Sequence, residues 1–176
     1  MRLSKGEPLG DGAPRPGAMP KPMLDDVYNE KILAFAAEIP RTERLQSPDA
    51  TVALTSPLCG SRVTVDVVLD GDRIADFGQE VRACALGSAA ASIVGQNIVG
   101  RTTTEVREAR EALRAMLKEG GPPPGGVWKD LEILTPARAV KARHRSIMLA
   151  FDALDKAFAE IEAKQSGADG QDRATA

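Results

Sequence analysis

The chain has 176 residues, 43% of them apolar and only 3% aromatic, with 23 Lys+Arg against 25 Asp+Glu for a formal charge of -2. This length suits one domain with tails, and the charge balance argues against a generic nucleic-acid binder, which is usually basic. Two cysteines and one histidine exclude a disulfide scaffold and exclude four-cysteine or two-cysteine, two-histidine zinc sites within one chain. No apolar run approaches the roughly 20 residues of a membrane-spanning helix.

Residues 1–22 hold five prolines and four glycines. They lack the apolar core of a secretory signal and the Arg/Ser-rich pattern of a transit peptide, so they read as a disordered leader, with Met19 or Met23 as alternative starts. A helix is predicted over Leu24 to Ile39, with Val27, Ile32, Phe35 and Ile39 near one phase and Pro40 as the stop. Thr51 to Thr55 alternates as a strand. Val63, Val65, Val67 and Leu69 repeat with the period of a half-buried strand. Asp70-Gly71-Asp72 breaks that run, and Arg73 to Val81 returns as the second arm of a hairpin.

From Leu86 the chain becomes helical and small-sided, ending at Gly100. Thr102 and Glu105 have the spacing of a capping box for a helix that buries Val106, Ala109, Leu113, Met116 and Leu117. Gly120 to Gly126 carries three prolines and four glycines and reads as a loop, and Trp128 to Leu134 is a short apolar stretch. A last helix places Val140, His144, Ile147, Phe151, Leu154, Phe158 and Ile161 on a single stripe, and residues 165–176 read as a disordered tail. The order α-β-β-β-α-α-α, with strands consecutive and helices segregated, predicts an α+β fold: a three-stranded antiparallel sheet with helices packed on one face, spanning residues 23–164.

Two cysteines sit where chemistry is possible. Cys59 lies in Pro57-Leu58-Cys59-Gly60-Ser61 between two strands, where Gly60 lets the backbone turn. Cys84 lies between the last strand and the small-residue helix, where the helix dipole and free N–H groups favour a thiolate. Free cysteine is often just a small buried residue, but the hairpins bring both loops to one end of the sheet, which favours sulfur or metal chemistry for the pair. The phase of His144 favours a packed, hydrogen-bonded histidine, with metal ligation as the other reading. The Gly-Pro loop lacks the Gly-Lys-Ser/Thr ending of a phosphate loop.

These blocks together resemble the U-type iron–sulfur cluster scaffold family (IscU, SufU and the N-terminal domain of NifU), over roughly Leu24 to Ala163. The residues that carry the resemblance are Ser56-Pro57-Leu58-Cys59-Gly60-Ser61, the hairpin Leu69-Asp70-Gly71-Asp72, and Ala83-Cys84-Ala85-Leu86-Gly87-Ser88-Ala89-Ala90-Ala91-Ser92, with the family's spacing between the two cysteines. The chain departs from the family pattern at its aspartate, here Ser61, and at its third cysteine, which Leu149 to Ala153 aligns with Ser146. The family's chaperone-recognition stretch is replaced by Arg138-Ala139-Val140-Lys141.

The resemblance implies a SufE/NifU-like fold and a non-enzymatic, cytoplasmic scaffold or carrier that holds iron or a 2Fe-2S cluster through Cys59 and Cys84. His144, a second subunit in a homodimer, or a partner's thiols would supply the remaining ligands. It implies a cysteine desulfurase and apo iron–sulfur proteins as partners, with neither nucleic acid nor membrane. The alternatives are a zinc-bound sulfur acceptor for a cysteine desulfurase, against which the missing aspartate counts, and a non-catalytic interaction protein that has lost the site.

Overall fold

The computed structural model describes residues 28–173, with side chains described through Ala168; the leader, the start of the predicted first helix and the chain end lie outside the described residues. The elements are α1 (Glu30–Ala37), β1 (Ala50–Thr55), β2 (Arg62–Asp70), β3 (Arg73–Arg82), α2 (Ala85–Asn97), α3 (Thr103–Glu119), a 3-10 segment (Gly126–Ala139) with a short 3-10 turn (Lys141–Arg143), and α4 (His144–Arg173). The strands form one antiparallel sheet in the order β1-β2-β3, as their alternation predicts.

One face of the sheet is apolar. Val52 on β1, Val63, Val65 and Val67 on β2, and Ile74 and Phe77 on β3 are buried. α4 lies across β1 and β2, α2 lies on β3 and against α4, and α1 packs on α2. α2 is buried along most of its length, from Leu86 to Gly95, because its side chains are small enough to let neighbouring backbones approach closely. The aromatics are few, yet Phe77, Trp128, Phe151 and Phe158 are all buried, and Trp128 meets Phe151 edge-on with ring centroids 5.6 Å apart.

The opposite face is strapped by the connection from α1 to β1. Asp66 and Gly78 are cross-strand partners there. A side chain at Gly78 would collide with the Glu43 carbonyl. Asp66, fully buried, accepts from Arg44 Nε and Nη2 at 2.6 and 3.0 Å, from the Thr51 hydroxyl at 2.6 Å and from the Leu45 amide at 3.0 Å. The Asp66 carboxylate is fully satisfied by the strap and its neighbours, which explains how β2 tolerates a charge at a buried position.

Thr102 and Glu105 form the predicted capping box, and all five residues expected in the α3 core are buried. The stretch read as Trp128 to Leu134 is a longer 3-10 segment. Its buried residues are Trp128, Leu131, Leu134 and Ala137, one every third position, and three residues per turn is the 3-10 period. Val140 precedes the last helix instead of sharing it. At the other end α4 runs to Arg173, past Gln165, where the sequence reads as a tail. The packed stripe from Ile147 to Ile161 supplies the helix nucleus, and extension beyond a formed nucleus needs only ordinary propensity.

Burial pushes the Asp66 carboxyl up, but the Arg44, Thr51 and Leu45 donors outweigh it and hold it below the ordinary carboxylate range. Such a group stabilises the fold fully above its unfolded pKa of about 3.9, and the contribution disappears as pH falls through the lowered folded value. Asp66→Asn should lose about 2–4 kcal/mol at neutral pH in denaturant unfolding. The gap to the native protein should narrow as the pH is taken through the acid range.

Candidate functional site

The loop Ser56–Ser61 is closed by two backbone hydrogen bonds, Ser56 N–H to the Ser61 carbonyl (2.7 Å) and Gly60 N–H to the Ser56 carbonyl (2.9 Å). Gly60 turns with φ of +70°, a conformation that favours glycine, so Cys59 stands at the end of the sheet beside the exposed Leu58. Cys84 is the N-cap of α2 in extended conformation. In the antiparallel register Arg62 pairs with both Thr55 and Arg82, so the loop that carries Cys59 and the strand exit that carries Cys84 share one end of the sheet, as predicted.

Ser61 and Ser146 fill the space between the two thiols. The Cys59 sulfur is 3.1 Å from Ser61 Oγ, Ser146 Oγ donates to Ser61 Oγ at 3.0 Å, and Cys84 Sγ lies 3.3 Å from Ser146 Oγ. The Cys84 amide also donates to Ser61 Oγ at 3.3 Å. The directions follow from the donor count. Ser61 accepts from Ser146 and from the Cys84 amide, so its own proton is left for the Cys59 sulfur. The Ser146 proton is committed to Ser61, so Ser146 accepts from the Cys84 S–H.

Burial pushes the Cys59 thiol up, but hydrogen bonds chiefly from Ser61 and Ser56 outweigh it and lower the thiol to about 6. The Ser56 hydroxyl is buried and has no other partner among the described residues. The guanidinium of Arg143 lies beside Cys59 in one depression; burial works against its charge, and its interactions with Cys84, Tyr28 and Cys59 outweigh that and raise its pKa. Leu58, Cys59, Ala142 and Arg143 line a shallow depression of about 280 Å³. Arg143 is the residue the sequence reading missed. Its signal was present, since it lies three residues, one turn, before Ser146.

Gly87 makes the arrangement possible. A Cβ there would lie 2.5 Å from Ser146 Oγ and 3.0 Å from the Ser146 carbonyl, so only glycine lets α2 and α4 meet this closely. His144 behaves differently. It is buried, its Nε2 is 2.9 Å from the Ala137 carbonyl, and its ring lines a separate cavity. The structure brings Cys59, Cys84, Ser61, Ser146 and Arg143 together and leaves His144 out. The 3-10 segment engages the imidazole as a packing and hydrogen-bonding group, the other of the two readings of His144.

The residues matched by the description "NifU-like N terminal domain" are 27–168, most of the chain. The chain belongs to this family. A NifU-like N-terminal structure from Brucella abortus is 45% identical, with a TM-score of 0.79 over 81% of this chain and 99% of that one. A SufU from the thermophile Fervidobacterium islandicum AW-1 shares the fold at 21% identity, with a TM-score of 0.70 over 76% of this chain and 97% of its own. Among curated proteins, the zinc-dependent sulfurtransferase SufU of Bacillus subtilis is 26% identical over 139 residues, 79% of this chain and 94% of that protein.

Zinc does not fit the donor set of this NifU-like domain. Among the described residues no three His, Cys, Asp or Glu side chains form a group that could hold a metal ion, whereas a zinc site takes three or four protein donors of thiolate, imidazole or carboxylate type. Here the two thiols are joined by neutral hydroxyls and a guanidinium. No helix of the described residues is long and apolar enough to cross a membrane.

Alkylation of Cys59 in a Cys84→Ala background should rise with pH through a midpoint near 6, read by mass spectrometry after timed iodoacetamide pulses. Ser61→Ala should move that midpoint upward by removing the nearest donor to the thiolate. Gly87→Ala should do the same indirectly, since Ser146 must retreat from its place beside Ser61.

Proposed function

We propose that this NifU-like domain is an iron–sulfur cluster assembly scaffold or carrier in the cytoplasm, not an enzyme, that receives sulfur from a cysteine desulfurase and holds iron or a 2Fe-2S cluster as cargo through Cys59 and Cys84. The observation that carries the reading is the pair of thiols linked by the Ser61–Ser146 hydrogen bond, with Cys59 held as a thiolate near neutral pH. Thiolate is the form that binds iron and attacks sulfur. The family membership and the sulfurtransferase relative support the same chemistry.

In sulfur delivery the Cys59 thiolate attacks the terminal sulfur of the desulfurase persulfide. The S–S bond of that persulfide breaks, its cysteine leaves as thiolate, and a new S–S bond forms on Cys59 with no net oxidation. Arg143 neutralises negative charge on the attacking and transferred sulfurs. A two-iron cluster takes four ligands, so two positions come from outside the chain, from the recipient protein or a second copy. The zinc-bound form of the sulfur-acceptor reading is the weaker one, because it too would need donors from outside the chain and Ser61 stands in place of the family's aspartate.

Anaerobic reconstitution with iron and a desulfurase should give a visible chromophore and acid-labile sulfide in the native protein, and neither in Cys59→Ala or Cys84→Ala. A native protein that binds neither iron nor sulfide would leave only the interaction-protein reading. Ser146→Cys places a third thiol next to Cys84 and should hold the cluster through gel filtration in higher yield than the native chain.

A further inference from the structure

The cavity that His144 lines has a volume of about 710 Å³, well within the range of small-molecule sites. It sits between the end of α3, the 3-10 segment and the first turns of α4. Five cationic side chains line it, Arg114, Lys118, Arg138, Lys141 and Arg145, against the single carboxylate Asp152. That is a net of four positive charges in a chain whose formal charge is -2, so it is not part of a generally basic surface.

Two of these cations are already employed. Arg138 donates to the Met116 and Gly121 carbonyls at 2.7 and 2.6 Å and closes the end of α3. Arg114 faces Glu111 at 3.7 Å and Asp152 at 3.6 Å. Lys118, Lys141 and Arg145 have no carboxylate partner among the described residues, although they come from three separate elements and all face the same cavity. Like charges gathered from separate elements repel one another unless an anion joins them. The walls also include Leu117 and Met148, so the ligand has room for a body as well as charged groups.

We infer that this cavity binds a small multivalent oxyanion of polyphosphate or polycarboxylate type, held by Lys118, Lys141 and Arg145. The site adjoins the thiol site through one turn of chain: Arg143 faces the sulfurs, His144 and Arg145 face the cavity, and Ser146 faces the sulfurs again. The inference does not depend on cluster or sulfur chemistry.

Isothermal titration of the full chain with pyrophosphate, ATP and citrate, in salt of physiological strength where the screening length is about 8 Å, tests it. At least one of the three should bind saturably, and the preferred probe tells phosphate from carboxylate chemistry. The triple variant Lys118→Gln, Lys141→Gln, Arg145→Gln should weaken it at least about thirtyfold, and Arg145→Gln alone about tenfold, the scale of one lost charge-assisted contact. Lys156→Gln, an exposed lysine elsewhere on α4, and Cys59→Ala should bind as the native chain does. Absence of saturable binding by all three anions overturns the proposal. So does a triple variant that binds normally, or binding of an acidic peptide where all three small anions fail.

Discussion

The antiparallel pairing of β2 with both of its neighbours is the constraint from which the site follows. Because Arg62 stands opposite Thr55 on one side and Arg82 on the other, the loop that enters β2 and the chain that leaves β3 are held at the same end of the sheet. A shift of one residue would turn every β2 side chain to the other face. That would bury the wrong set and expose Val63, Val65 and Val67, so the apolar alternation fixes the distance between two cysteines 25 positions apart. The helices then complete the site: α2 begins at Cys84, and α4 brings Ser146 across the gap through the space that Gly87 leaves open.

What fills that gap differs in charge from the pattern the family resemblance implies. A carboxylate and a third thiolate would add negative charge and ligands for a cation. Ser61 instead donates a neutral hydroxyl to one thiolate, with Ser146 donating to Ser61 in turn, and the positive charge of Arg143 interacts with both sulfurs. Hydrogen bonding to the charged form lowers a thiol pKa without adding a further metal ligand. The site is thus suited to hold a nucleophilic sulfur, and an iron cargo only with ligands from another molecule.

Rigidity in the rest of the molecule serves the same end. The buried Asp66 fastens the connection before β1 to the back of the sheet, which leaves α2 and α4 to cover the front. On α4, Arg107 and Arg110 of α3 reach Asp155, Glu162 and Asp152 at 2.7–3.2 Å, so the helix that presents Ser146 is held along its exposed side by a network of ion pairs as well as by its apolar stripe.

The sequence by itself determined the strands, the capping box, the core of α3 and the proximity of Cys59 and Cys84, because a two-residue period, a Thr-x-x-Glu spacing and two tight connections each admit one local solution. It also held the three-residue spacing of Trp128, Leu131, Leu134 and Ala137, which is legible once the 3-10 period is considered. Only the tertiary structure decided the role of Arg143, and it showed how His144 and Ser146 take the separate places that the phase and the family register favoured. These residues lie within one turn of each other, and the change from 3-10 to α-helical winding at His144 sets which way each points. The same turn therefore sends His144 to the Ala137 carbonyl and Ser146 to the sulfurs, a division that depends on which neighbours pack against it and not on the spacing of the residues along the chain.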